Sequence, residues 1–172
     1  MTATAGTAAA NEERARDLFR RLFDERDLTD PRWYWADGLV SRLHALDLTV
    51  RGPDGMAEFF TRLFAAVPDF AMTVEEVLAH EHGATIRWRA TGTFDGAPWM
   101  GIEPTGSAID LPGVDVMRFD ADGRVTDNVV YYDGATFARE IGMLPRRDSA
   151  ADRAMLHAFN ATTKAKRRFR RD

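Results

Sequence analysis

The sequence predicts an α+β domain in which helices come first and a run of antiparallel strands follows. Three observations point to this. Up to Pro68 apolar residues recur every three to four positions, after Pro68 the period drops to two, and no linker or internal repeat divides the chain before about residue 146. Helices and strands segregated in this order pack as helices on one face of a curved sheet.

The elements follow in order. Residues 11–26 carry Ala15, Leu18, Phe19, Leu22 and Phe23 at helical spacing, with charge on the other face. Asp30 and Pro31 then read as the cap and first residue of a short helix carrying Trp33, Tyr34 and Trp35. "GLVSRLHALDLTV" reads as extended, with Leu39, Leu43 and Ala45 alternating against polar neighbours. A helix restarts at Pro53, with Met56, Phe59, Phe60, Leu63, Phe64 and Val67 in one stripe, and stops at Pro68. "DFAMTVEEVLAHE" and "ATIRWRATGTF" are strands about an "HG" turn, and Ile86, Trp88 and Ala90 share one face of the second. "DGAPWMGIEPTG" is a Gly/Pro-rich connection. "SAIDLPGVDVMRFD" and "GRVTDNVVYYD" form a hairpin through "DADG". "GATFAREIGMLP" is a short helix, and the segment from Asp148 onward forms a last one with Met155, Leu156 and Phe159 on its apolar face.

Length and composition narrow the class. The 172 residues suit one domain, with residues 1–10 disordered, 11–146 the domain and 147–172 a basic C-terminal helical extension. Without cysteine, the chain has no disulfides, thiolate nucleophiles or Cys-ligated metal. The opening "MTATAGTAAA" does not read as an export signal, and no apolar run is long enough to span a bilayer, so a cytoplasmic protein is expected. Net charge is -4, but the last twelve residues hold six Lys/Arg and one Asp, which is +5 and leaves -9 on the rest. An acidic body argues against nucleic acid as partner, and the tail reads as a solvated terminus folded back on that body. No H-x-x-x-H, H-E-x-x-H, G-x-G-x-x-G or phosphate loop occurs, so neither a metal nor a nucleotide or flavin cofactor is implied.

One stretch poses a chemical question. In "GVDVMRF", residues 113–119, the strand period puts Asp115 on the same face as Met117 and Phe119, with Val114, Val116 and Arg118 opposite. A carboxylate on an apolar face is costly unless it is bonded, reaches water, or works as an acid or base whose pKa desolvation raises.

"GPDGMAEFFTRLFAAVPDF", "ATGTFDG", "GIEPTGSAIDLPGVDVMRFDADGRV" and "YYDGATFAREIGMLP", spread over residues 12–146, resemble the SnoaL-like polyketide cyclases of the nuclear transport factor 2-like superfamily. The resemblance implies a conical α+β barrel, with a strongly curved, mostly antiparallel sheet wrapped around the N-terminal helices and a deep apolar pocket between them. It also implies a hydrophobic small-molecule substrate, a homodimer through the outer face of the sheet, and Asp115 as the acid/base residue. The expected activity is cofactor-independent cyclisation or isomerisation of a polyketide-like or terpenoid substrate. The alternatives are a non-catalytic binding module of the same fold and an epoxide-hydrolase or hydroxylase-like member.

The chain departs from the family phrase "G-T-H", which here is "GTF", so Phe94 stands where the assisting His is usual. His44, in the strand after the aromatic helix, lies near where the resemblance implies a polar pocket residue, and is otherwise a surface or edge residue. His80 and His82 flank a turn and read as exposed. Asp37, near the place of the ketosteroid-isomerase base, reads as a turn residue. The Asp-Arg-Asp arrangement of the epoxide-hydrolase branch is incomplete, with Val130, Arg89 and Thr91 near its three places. Trp35, Phe60, Trp88, Phe94, Met117 and Tyr131 are the expected pocket walls, and Trp99 beside "GIEPTG" is the expected lid. Tyr131 and Tyr132 point to opposite faces, so only one of them can donate a hydrogen bond to a developing enolate.

Overall fold

In the computed structural model, which describes residues 7–169, the first helix starts earlier than the periodicity suggests. Thr7 caps it by accepting a hydrogen bond from the Ala10 amide, and the alanines that follow are strong helix formers. Helix α1 therefore spans Ala8–Phe19 and takes in residues 8–10 of the segment expected to be disordered. Residues 1–6 lie outside the described residues. A π-helical turn, Arg20–Asp24, continues α1 and keeps Leu22 and Phe23 buried.

Asp30 and Pro31 open the short helix α2, Pro31–Tyr34, although the Asp30 side chain makes no capping bond. Trp35 is not helical. It begins β1, Trp35–Leu43, and stacks on Phe60 at 5.8 Å and 7°. The segment read as one extended run is a hairpin. After Leu43 a 3₁₀ turn, His44–Leu46, ends in Asp47 at φ 49°, and β2, Leu48–Arg51, returns antiparallel to β1. The turn escaped the pattern because a left-handed Asp, rather than an Asn-Gly or Asp-Gly pair, makes it.

Helix α3, Gly52–Ala66, buries Met56, Phe60 and Leu63, with Val67 buried just beyond its end and Phe59 and Phe64 half-buried. Strands β3, Ala71–His80, β4, Gly83–Phe94, β5, Ser107–Phe119, and β6, Val125–Tyr132, follow as consecutive antiparallel neighbours. The sheet order is β2-β1-β6-β5-β4-β3, and only the β1–β6 pair is parallel. The edges β2 and β3 do not pair, so the sheet curves without closing into a full barrel.

Helix α1 lies on β3 and β4, and α3 lies on β1 and β2. Between them Phe23 meets Phe60, Phe64 and Phe70 at ring-centroid distances of 5.5, 6.5 and 5.9 Å. The first two are edge-to-face and the third is tilted, and aromatic pairs of this kind add about 0.5–1.5 kcal/mol each beyond area burial. The loop after β4 caps α3, since the Gly96 and Ala97 amides donate to the carbonyls of Ala66 and Ala65 at 3.0 and 2.8 Å. A Cβ on Gly96 would lie 2.1 Å from the Ala65 oxygen, so this close approach requires glycine.

Helix α4, Gly134–Glu140, is capped by Asp133, which accepts from the Thr136 amide at 2.6 Å. Helix α5, Ala150–Phe169, carries the basic extension. Its first turn is tied down through buried Asp152, which accepts from the Asp148 amide, but Met155, Leu156 and Phe159 are exposed. That apolar face does not fold back onto the body. Replacing Met155, Leu156 and Phe159 together by Ser is therefore expected to move the melting temperature by less than about 1 °C, as other exposed substitutions do. A larger drop in a thermal melt would show that α5 packs in solution.

Candidate active site

The strand period of β4, β5 and β6 fixes what faces the concave side. In β5, Ile109, Leu111, Gly113, Asp115 and Met117 are buried in alternation. Registers Trp88↔Gly113, Asp115↔Val130 and Met117↔Asn128 bring residues of three strands onto the same face. Across β1 and β6, Ser41 pairs with Asn128. A polar row, Trp88–Asp115–Asn128–Ser41, thus crosses four strands beneath an otherwise apolar roof.

That face and α3 line a cavity of about 100 Å³. Its walls are mainly Phe23, Phe59, Phe60, Phe70, Phe94, Leu111 and Ile141, and Trp99 and Ile102 stand over it. Apolar walls with few convergent polar groups are the usual composition of a small-molecule site.

Asp115 is held from two sides. Trp88 Nε1 donates to its Oδ1 at 2.8 Å, and Asn128 Nδ2 donates to its Oδ2 at 3.0 Å. The carboxyl is buried, and desolvation pushes its pKa from 3.8 up to about 6, against the downward pull of the two donors. Trp88 reaches Asp115 because it crosses Gly113. A Cβ at Gly113 would sit 2.2 Å from the Trp88 ring. The glycine two residues before the aspartate is thus the space the indole needs to lie flat on β5.

Phe60, Trp88, Phe94 and Trp99 line the cavity with Asp115. Trp99 sits in the β4–β5 loop, forms an isolated bridge with Ile102, and packs edge-on against Phe59 and Phe137, each at 6.0 Å.

Four expected wall residues are corrected. His44 is exposed, because the 3₁₀ turn carries it off the strand, and it stacks on Tyr131 at 5.0 Å outside the cavity. Tyr131 is 51% exposed, since its partner Val114 lies on the convex face. Trp35 is buried behind Phe60, and Met117 is buried beside Asp115; neither reaches the cavity.

Tyr132 takes the place expected of Tyr131. Paired with Gly113, it faces inward, packs on Trp88 and Phe137 at 6.4 and 5.8 Å, and has its hydroxyl pKa raised by burial. Ser41 and Asn128 were also missed. The signal that could have found them is the period of their strands, since Asn128 lies two residues before Val130 and Ser41 two before Leu43.

Asp37 is not the turn residue expected: it lies exposed in β1, where the pairing with β6 shifts register between Trp35 and Val40, and it is bonded to Arg32 at 3.1 Å. Arg89 points outward to Asp110 at 2.7 Å. Among the described residues no group of His, Cys, Asp and Glu is arranged to hold a metal ion, and no helix is long and apolar enough to cross a membrane.

A family model described as SnoaL-like polyketide cyclase matches residues 13–141. The chain belongs to the SnoaL-like polyketide cyclase family. No curated protein sequence matches it. Among solved structures, a SnoaL-like polyketide cyclase candidate from Jannaschia Sp. CCS1 is 26% identical, with a TM-score of 0.64 over 77% of this chain and 94% of that one. AclR from Streptomyces galilaeus, described as a candidate hydroxylase, is 21% identical, with a TM-score of 0.69 over 96% of this chain and 99% of that one. IdmH from Streptomyces antibioticus, described as a candidate polyketide cyclase, is 21% identical, with a TM-score of 0.63 over 77% and 98%. The SnoaL-like match ends before α5, whereas the likeness to AclR takes in most of that extension.

This SnoaL-like chain carries the Asp of the family's β5 phrase inside the cavity. Phe94, 2% exposed, fills the wall where the family phrase has His. The polar partners of Asp115 come instead from Trp88 and Asn128.

Proposed function

We propose that the protein is a cofactor-independent enzyme that cyclises or isomerises a polyketide-like or terpenoid substrate, with Asp115 as general acid/base. The observation that carries this reading is a buried carboxyl at the wall of an apolar cavity, held by two fixed donors and with its pKa pushed up to about 6. A base with a pKa near the working pH is suited to removing a proton beside a carbonyl.

In the proposed step the Asp115 carboxylate takes a carbon-bound proton and the substrate becomes an enolate. Tyr132, whose hydroxyl burial keeps protonated, donates a hydrogen bond to the developing oxyanion. The enolate carbon then attacks a carbonyl of the same molecule, or is reprotonated elsewhere, and Asp115 returns the proton. Trp99 and Phe59 shield the cavity from water. The homodimer through the sheet and the cytoplasmic setting remain part of the proposal.

Two observations weigh against the alternatives. A pure binding pocket has no need for a buried ionisable group, and this one holds Asp115 among Asn128, Ser41 and Tyr132. The epoxide-hydrolase arrangement lacks support, because Val130 occupies the cavity position opposite Asp115 and Arg89 points away from it.

Activity tests this through its pH dependence. If Asp115 acts as base, kcat/KM rises with pH and levels off above about 6. Trp88→Phe removes a donor to the carboxylate, so the rising limb moves to higher pH. A limb that stays in place in Trp88→Phe would exclude Asp115 as its source.

A further inference from the structure

The polar row under the cavity is incomplete at one end. Ser41 is 0% exposed and its hydroxyl has no partner among the described residues. Asn128 is 5% exposed. Its Nδ2 serves Asp115, and its Oδ1 is likewise without a partner among the described residues. The two residues are register partners on adjacent strands, and both line the cavity.

A buried polar atom without a partner is costly, and a cavity that keeps two of them side by side is shaped for a group that satisfies both. The hydrogen-bonding needs are specific. An ionised carboxylate only accepts, so the Asn128 amide must turn its nitrogen to Asp115 and present its oxygen to the cavity. That oxygen requires a donor. The Ser41 hydroxyl both donates and accepts. A single O–H group on a ligand fits this pair, donating to Asn128 Oδ1 and accepting from Ser41 Oγ. A carbonyl leaves the Asn128 oxygen without a donor, and a methyl leaves both atoms unmatched.

We propose that Ser41 and Asn128 form a hydroxyl-binding subsite, so that the substrate carries an alcohol, phenol or enol O–H next to the carbon that Asp115 deprotonates. This rests on the acid/base reading of Asp115 for its second half only. The binding preference needs no turnover. Because Asn128 also orients Asp115, the pair couples recognition of the hydroxyl to the position of the carboxyl, and Ser41 is a specificity-determining residue that does not touch Asp115.

The test compares 2-naphthol with 2-methylnaphthalene, which differ in O–H against a methyl of similar size. Calorimetric titration of the full chain is expected to give about tenfold tighter binding of 2-naphthol, although the methyl compound is the more hydrophobic. Ser41→Ala is expected to abolish or reverse that order. It is also expected to raise the melting temperature of the unliganded protein by about 2–4 °C, because it removes an unpaired buried hydroxyl. Equal binding of the two probes by the wild type, or an unchanged preference in Ser41→Ala, overturns the subsite. A lower melting temperature in Ser41→Ala also overturns it, since the hydroxyl would then have a partner inside the protein. None of these outcomes alters the titration of Asp115, so failure of the subsite and failure of the acid/base reading are told apart.

Discussion

Asp115→Asn is expected to lower turnover by about three orders of magnitude, the middle of the range for a general acid/base group, while making the protein more stable at neutral pH. The stability gain follows from the sign of the pKa shift. The carboxyl ionises near 3.8 in the unfolded chain and near 6 in the folded one. Between those values the native state holds a proton that the unfolded state has released, so stability falls as pH rises. The buried group's contribution is fully present below pH 4 and lost above about 6. A shift of about two units corresponds to about 3 kcal/mol. Asn carries no charge and escapes this loss. Its amide does meet the Asn128 amide, which offsets about 1 kcal/mol, so the net gain at pH 7.5 is about 2 kcal/mol. Urea denaturation of both proteins at pH 4 and pH 7.5 checks this: the variant should be less stable by about 1 kcal/mol at the lower pH and more stable by about 2 kcal/mol at the higher. Full turnover in the variant, or a stability difference independent of pH, would contradict the assignment.

Gly113→Ala is the second large effect. The new Cβ would lie 2.2 and 2.3 Å from Trp88 ring carbons. The indole is buried and anchored through Nε1, so it cannot move aside without giving up its bond to Asp115. Overpacking of this kind costs about 1–3 kcal/mol, and the lost hydrogen bond adds about 1 kcal/mol. The expected result is a melting temperature lower by roughly 10 °C. The Asp115 pKa should also rise further, because a donor to the carboxylate is lost. A thermal melt combined with Trp fluorescence reads the first effect, and a pH–activity profile reads the second. A melt unchanged within about 1 °C would show that the indole does not need Gly113.

These two residues also show how far the sequence could be read. The placement of Asp115 on the face of Met117 followed from the period of β5 alone, and its role as the acid/base candidate followed from the family phrase. The reason for Gly113 was hidden, because the atom it makes room for belongs to Trp88 on the neighbouring strand, and a single strand carries no information about what crosses it. The same holds for Asn128 and Ser41. Their importance depends on the β5–β6 and β1–β6 registers, which no local pattern specifies. His44 failed for a local reason: one left-handed Asp47 converts an extended run into a hairpin and turns the imidazole out. Tyr131 and Tyr132 were a choice between two faces, and the pairing of Tyr132 with Gly113 makes it. The elements that long periodic runs announce, α1, α3 and β3 to β6, were legible. Those set by one or two residues, such as the turn at Asp47, were not.

The central claim is that burial holds the Asp115 carboxyl ready to exchange a proton near neutral pH. Its most direct test is a ¹³C NMR titration of the aspartate carboxyl carbons in the unliganded protein, with Asp115→Asn identifying the resonance. The structure predicts a midpoint near 6 for that carbon. A midpoint below about 4.5, within the ordinary range for an aspartate, would contradict it.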